Sequence, residues 1–80
     1  MELEDDYWCN SAYDFFGEGH FGQTYSEQKI DDLIDKHGSD SDLIEYFLNN
    51  KYPERDYFVL LDYYDEIGSC GSFRIRIWKK

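Results

Sequence analysis

Tyr57-Phe58-Val59-Leu60-Leu61-Asp62-Tyr63-Tyr64 and, further on, Phe73-Arg74-Ile75-Arg76-Ile77-Trp78 are the two stretches that decide the fold. An extended chain sends alternate side chains to opposite faces, so the first places Phe58, Leu60, Asp62 and Tyr64 on one side and Tyr57, Val59, Leu61 and Tyr63 on the other. The second alternates Phe73, Ile75 and Ile77 with Arg74, Arg76 and Trp78. Gly68, Ser69, Gly71 and Ser72 lie between them and read as a flexible turn, which makes the pair an antiparallel hairpin. The Phe73, Ile75, Ile77 side needs an apolar cover; the other presents Arg-Arg-Trp beside the Tyr and Asp of its neighbour.

That cover lies upstream. Ile30, Leu33, Ile34 and His37 recur at i, i+3, i+4, i+7, one apolar stripe on a helix. Thr24 or Ser26 serves as its N-cap, Glu27 and Asp31 fall in its first turns, and Gly38 stops it. A second helix, capped by Ser39 or Ser41, turns Leu43, Ile44, Phe47 and Leu48 inward and ends at Asn49-Asn50 before Tyr52-Pro53. Residues 1–6 read as a frayed acidic start and Tyr7 to Phe16 as a first strand. Gly17, Gly19 and Gly22 then break the chain, with Phe21 and Tyr25 in a loop or short second strand. The expectation is one α+β domain over residues 1–80, two short helices packed on an antiparallel sheet that ends in a C-terminal β-hairpin.

Composition sets the class. The 80 residues are 41% hydrophobic and 20% aromatic, enough to fold despite a net charge of −10. No apolar run approaches the roughly 20 residues of a membrane span, and Met1-Glu2-Leu3-Glu4-Asp5-Asp6 is the opposite of a basic signal-peptide start. The expected location is cytoplasmic. Cys9 and Cys70 are read as reduced thiols, with a Cys9–Cys70 disulfide as the alternative. Charge is unevenly placed: residues 1–66 hold all 18 acids and only Lys29, Lys36, Lys51 and Arg55, net −14, whereas residues 67–80 carry Arg74, Arg76, Lys79 and Lys80, net +4. Such a field repels nucleic acid and anionic membrane and attracts basic protein surfaces.

Catalytic and cofactor motifs fail in context. Gly17-Glu18-Gly19-His20-Phe21-Gly22 has the letters of a nucleotide loop, but no helix opens on the third glycine and Glu18 would face the phosphates. Cys9, His20, His37 and Cys70 are spaced unlike any compact zinc site, and Asp35, Asp40, Asp42 and Glu45 lack the spacing of a calcium loop. His20 and His37 have no local partner for acid–base or nucleophilic work. The reading is a protein without enzymatic activity, cofactor or metal.

What remains is acid interleaved with aromatics. Glu27, Asp31 and Asp35 stand at i, i+4, i+8 on the first helix, a carboxylate every ~6 Å along the axis, with Asp32 beside them and Asp40, Asp42 and Glu45 following. That spacing is comparable with the spacing of neighbouring phosphates on one nucleic-acid strand. Eight Tyr and two Trp exceed what so small a core can bury, and both residue types anchor interfaces.

In size, acidity, aromatic content and lack of a catalytic signature the chain resembles small phage-encoded antidefence inhibitors, anti-CRISPR proteins among them, several of which are DNA mimics. The resemblance implies a basic protein partner, a CRISPR effector or other nuclease, and the cytoplasm of a bacterial host. Locally, Tyr57 to Asp65 resembles an inhibitory strand of the immunity proteins of cloacin-type nucleases, which implies contacts from Tyr57 and Tyr63. A third reading is a homodimer or regulatory module that pairs edge strands, Arg74, Arg76 and Trp78 meeting a second copy's acids.

Overall fold

Three strands and three helices account for most of the chain in the computed structural model, which describes residues 1–19, 21–22, 24–64 and 71–80. In chain order they are β1 (Glu2–Cys9), α1 (Ala12–Gly17), α2 (Glu27–His37), α3 (Asp40–Lys51), β2 (Tyr57–Tyr64) and β3 (Ser72–Lys79). The sheet order is β1-β3-β2, and β3 is antiparallel to both neighbours. β1 and β2 therefore run in the same direction, linked through the three helices, and β3 is inserted between them.

β3 takes the centre because its alternation suits it. Phe73, Ile75 and Ile77 are buried under the helices, while Arg74, Arg76 and Trp78 line the opposite face. Tyr7 and Cys9 of β1 join the buried side, with Tyr57, Val59 and Leu61 of β2 packed against its margin. From the helices come Ala12, Phe15, Phe16, Ile30, Leu43, Ile44 and Leu48. Phe15 stacks on Phe21 at 5.1 Å between centroids and meets Phe16 edge-on at 4.8 Å, so aromatic rings fill the space beneath the short helices.

Serines start every helix. Ser11, Ser26 and Ser39 are N-caps, their hydroxyls accepting from the backbone N–H of Asp14, Lys29 and Asp42. Gly38 ends α2 at φ 107°, a left-handed conformation that favours glycine, and its N–H bonds the Ile34 carbonyl at 2.7 Å.

Two expectations are corrected. Residues 2–6 are part of β1, not a frayed start: Glu2 stands opposite Lys79 and Asp6 opposite Arg76, so the basic residues of β3 recruit the acidic segment into the ladder. The strand expected over Tyr7 to Phe16 stops at Cys9, and residues 12–17 form a third helix, because Ser11 caps it and Ala12, Phe15 and Phe16 fall on one buried face. Phe21 and Tyr25 sit in the connecting loop, Phe21 fully buried. The expectations for His20, Cys70, Gly68 and Ser69 fall outside the described residues.

Candidate functional site

The outermost helix carries the acids. Of α2 only Ile30 is fully buried, with Leu33 and Ile34 half-buried, so most of the helix circumference faces solvent. Glu27, Asp31, Asp32 and Asp35 are all exposed. Asp31 accepts a hydrogen bond from the Tyr13 hydroxyl of α1, and this bond, ahead of the surrounding negative charge, pushes the Tyr13 hydroxyl up to about 12. Asp32 accepts from the Gln28 amide at 3.1 Å. Asp42 and Glu45 extend the acidic surface along α3. The ion pairs among the described residues are Arg55–Asp56, Arg74–Asp6 and Arg76–Asp62, so none neutralises the acids of α2 or α3.

Asp40 has a different place from its neighbours. Its carboxylate is half-buried and accepts the backbone N–H of Ala12 at 3.0 Å, joining the start of α3 to the start of α1. The side chain satisfies a donor at one helix N-terminus while sitting in the first turn of another.

The open face of the sheet is organised by β3. Arg74 forks onto Asp6, Nε at 3.2 Å and Nη2 at 3.0 Å, and Arg76 bonds Asp62 at 2.5 Å. One arginine thus reaches into β1 and the other into β2. Trp8 lies under Arg74 and against Tyr64, while Trp78 packs on Phe58. Leu3, Trp8, Phe58 and Tyr64 remain exposed here, Trp8 at 52%. The face is aromatic and, with two arginines against two aspartates, electrically neutral in a strongly acidic chain.

Tyr57 and Tyr63, taken together from the sequence, point to the helix side of β2. Tyr57 is half-buried with its ring against Tyr52 at 5.1 Å, whereas Tyr63 is 57% exposed and rests on Phe73. The structure therefore separates Tyr57 from the solvent-facing set and leaves Tyr63 in it. Along this side of β2, between the strand and α3, run clefts of about 180, 190 and 300 Å³. Their walls include Ser41, Glu45 and Asn49 from the helix and Val59, Leu61 and Tyr63 from the strand. Sequence reasoning named Glu45 and Tyr63 separately but missed the groove they share.

Groups with reactive chemistry are held quiet. Burial, ahead of the charges of Asp14, Glu18 and Asp40, pushes the Cys9 thiol up to about 12. The Tyr7 hydroxyl, raised by burial first, donates to Glu18 at 2.5 Å. No cluster of three His, Cys, Asp or Glu suited to a metal occurs among the described residues, and no helix among them is long and apolar enough to cross a membrane. Comparison with protein-family models, with curated proteins and with solved structures finds no match to this chain.

Proposed function

We propose that this protein is a non-catalytic inhibitor whose acidic helical layer docks on a basic, nucleic-acid-binding surface of a bacterial defence nuclease, its carboxylates standing where phosphates would lie. The observation that carries the reading is the state of α2: Glu27, Asp31, Asp32 and Asp35 are solvent-facing and, among the described residues, unmatched by any cation. Arg74 and Arg76 are engaged on the far side of the sheet with Asp6 and Asp62, so they do not offset the helical acids. Exposed charge of this kind accelerates association with an oppositely charged surface and rejects nucleic acid.

The test is capture of a nuclease from bacterial lysate on the immobilised protein at about 50 mM salt, followed by challenge with duplex DNA. DNA should displace the captured enzyme. Asp31→Lys combined with Asp35→Lys exchanges two attractions for two repulsions at exposed sites, each worth about 0.2–1 kcal/mol, so binding should weaken roughly 10- to 100-fold. Capture that resists both DNA and the double reversal would overturn the reading.

A second reading, an immunity protein for a nuclease toxin acting through β2, draws support from exposed Phe58, Tyr63 and Tyr64. Tyr63→Ala would then abolish inhibition while the α2 reversals leave it intact.

A further inference from the structure

The two edges of the sheet are built differently. β1 carries Glu2, Glu4, Asp5 and Asp6, and its pairing with β3 is interrupted by an irregularity between Leu3 and Asp5. Charges and a bulge are the usual means of stopping another strand from adding to an edge. β2 has neither. Its register with β3 is unbroken from Tyr57 to Tyr64, it lacks Lys and Pro, and its one charge, Asp62, is turned to the open face and held by Arg76. Among the described residues the strand pairs on one side only, so beyond Tyr57, whose N–H bonds the Pro53 carbonyl, a row of backbone N–H and C=O groups faces outward.

β2 also has the composition of an inner strand without the burial of one. Val59, Leu60 and Leu61 are consecutive, yet not one residue of β2 is fully buried, whereas β3 buries every second side chain from Phe73 to Ile77. Beside the unpaired edge lies the groove to α3. Ser41, Glu45 and Asn49, at i, i+4, i+8, form a single helical ridge along it, opposite Tyr63, Leu61 and Val59 in turn. Eight helical residues rise about 12 Å and four strand residues about 13 Å, so ridge and strand keep step along the groove. Leu48, buried, forms part of the floor.

We propose that the edge of β2 and the groove beside α3 accept an extended segment of a partner protein as a fourth strand, one that alternates apolar residues with Lys or Arg. The backbone of the incoming segment completes the ladder, and its inward side chains, two residues apart, fill the successive clefts. Charge selects the occupant: the groove is bordered by Asp40, Glu45 and Glu54 against one base, Lys80, whose ammonium is held by the Glu54 carbonyl at its far end, so a basic segment gains at the rim beside Asp40 and Glu45. A second copy of this chain is the poorer fit, because pairing β2 with β2 would bring two α3 helices, each bearing Asp40, Asp42 and Glu45, onto the same side of one continuous sheet. The inference does not rest on the α2 acids.

The experiment is an NMR titration of the ¹⁵N-labelled full chain with a ten-residue peptide alternating Lys and Val, against the same peptide N-methylated throughout. The unmethylated peptide should shift the amides of Val59, Leu61, Ser41, Glu45 and Asn49 and slow hydrogen exchange along β2. Glu45→Lys should weaken it about three- to tenfold, as expected for one exposed charge reversed, and Asp31→Lys with Asp35→Lys should leave these shifts unchanged. Equal response to both peptides, shifts centred on α2, or no response at about 1 mM peptide would overturn strand addition, since pairing at an open edge should register at that concentration. So would a dimeric mass with β2 amides already protected in the free chain, which would assign the edge to a second copy.

Discussion

Replacing Asp40 by Ala tests whether this carboxylate is a structural acceptor before it is anything else. The Ala12 N–H that it accepts at 3.0 Å belongs to the first residue of α1, which has no intrahelical acceptor, and Ala12 is 0% exposed. Removing the acceptor strands a buried donor, at a cost of about 1–3 kcal/mol. Loss of a negative charge near two helix N-termini adds about 0.3–1 kcal/mol. The sum is about 1.3–4 kcal/mol, with a mid-range near about 2–3 kcal/mol, a large share of the stability of an 80-residue domain. With a urea m-value of about 1 kcal/mol/M for a small domain, the midpoint should fall by about 2 M. Asp40→Asn keeps an oxygen in place and should cost under about 1 kcal/mol, while Asp42→Ala, exposed in the same first turn, should cost only the dipole contribution of about 0.3–1 kcal/mol. Urea unfolding followed by circular dichroism measures all three. If Asp40→Ala matched Asp42→Ala, the carboxylate would not be the acceptor that joins α1 to α3. The consequence for binding work is direct: Asp40→Asn, and not Asp40→Ala, is the variant that removes charge without disturbing the helices.

Two further outcomes concern titration. The hydrogen bond from Arg74 holds the Asp6 carboxyl below the usual carboxylate range, so its contribution to stability is present above about pH 4, the unfolded value, and is lost as pH falls through the lower folded value; urea midpoints at pH 7 and pH 3 should therefore differ less in Arg74→Met than in the parent, and an unchanged difference would remove this pair from acid stability. Cys9, pushed up to about 12 mainly by burial, stays a thiol while the unfolded thiol ionises from about pH 8.5, so stability is full below that pH and declines above it. In a Cys70→Ser background a thiol reagent at pH 8 should react with Cys9 only as fast as the chain opens, and rapid reaction without denaturant would contradict its burial.

What the sequence makes legible is whatever rests on near neighbours. α2 and α3 follow from i, i+3, i+4 stripes closed by serine caps and Gly38, and β2 and β3 from alternation; each signal lies within about a dozen residues. The acidic start of β1 was hidden because its acids make sense only opposite Lys79 and Arg76, 70 or more positions away, and in isolation they read as solvated charge. α1 was hidden by length: six residues give too few turns for a period to emerge from a run of aromatics. The same division holds at the surface. The Glu27, Asp31, Asp35 row is a property of one helix, but the role of Asp40 depends on Ala12, 28 positions distant, and the β2 groove depends on a helix and a strand meeting.

The placement of the arginines ties these surfaces together. Arg76 keeps its Nε buried without a partner among the described residues, a loss that an apolar residue of similar length would avoid. Yet its position at the centre of the sheet, with Arg74, lets the two guanidiniums reach opposite neighbours and neutralise Asp6 and Asp62 where they stand. The two guanidinium charges of β3 are thereby consumed within the sheet. Among the described residues, the acids of α2 and α3 form no ion pair, and the outer edge of β2 pairs with no other strand, with Asp62 out of the way. On the proposed reading, charge at the helices sets how fast a basic partner arrives, because exposed charges act mainly on encounter. On the proposed strand addition, backbone pairing along β2 sets how long an extended segment stays, because ladder hydrogen bonds and filled clefts must be broken together for it to leave.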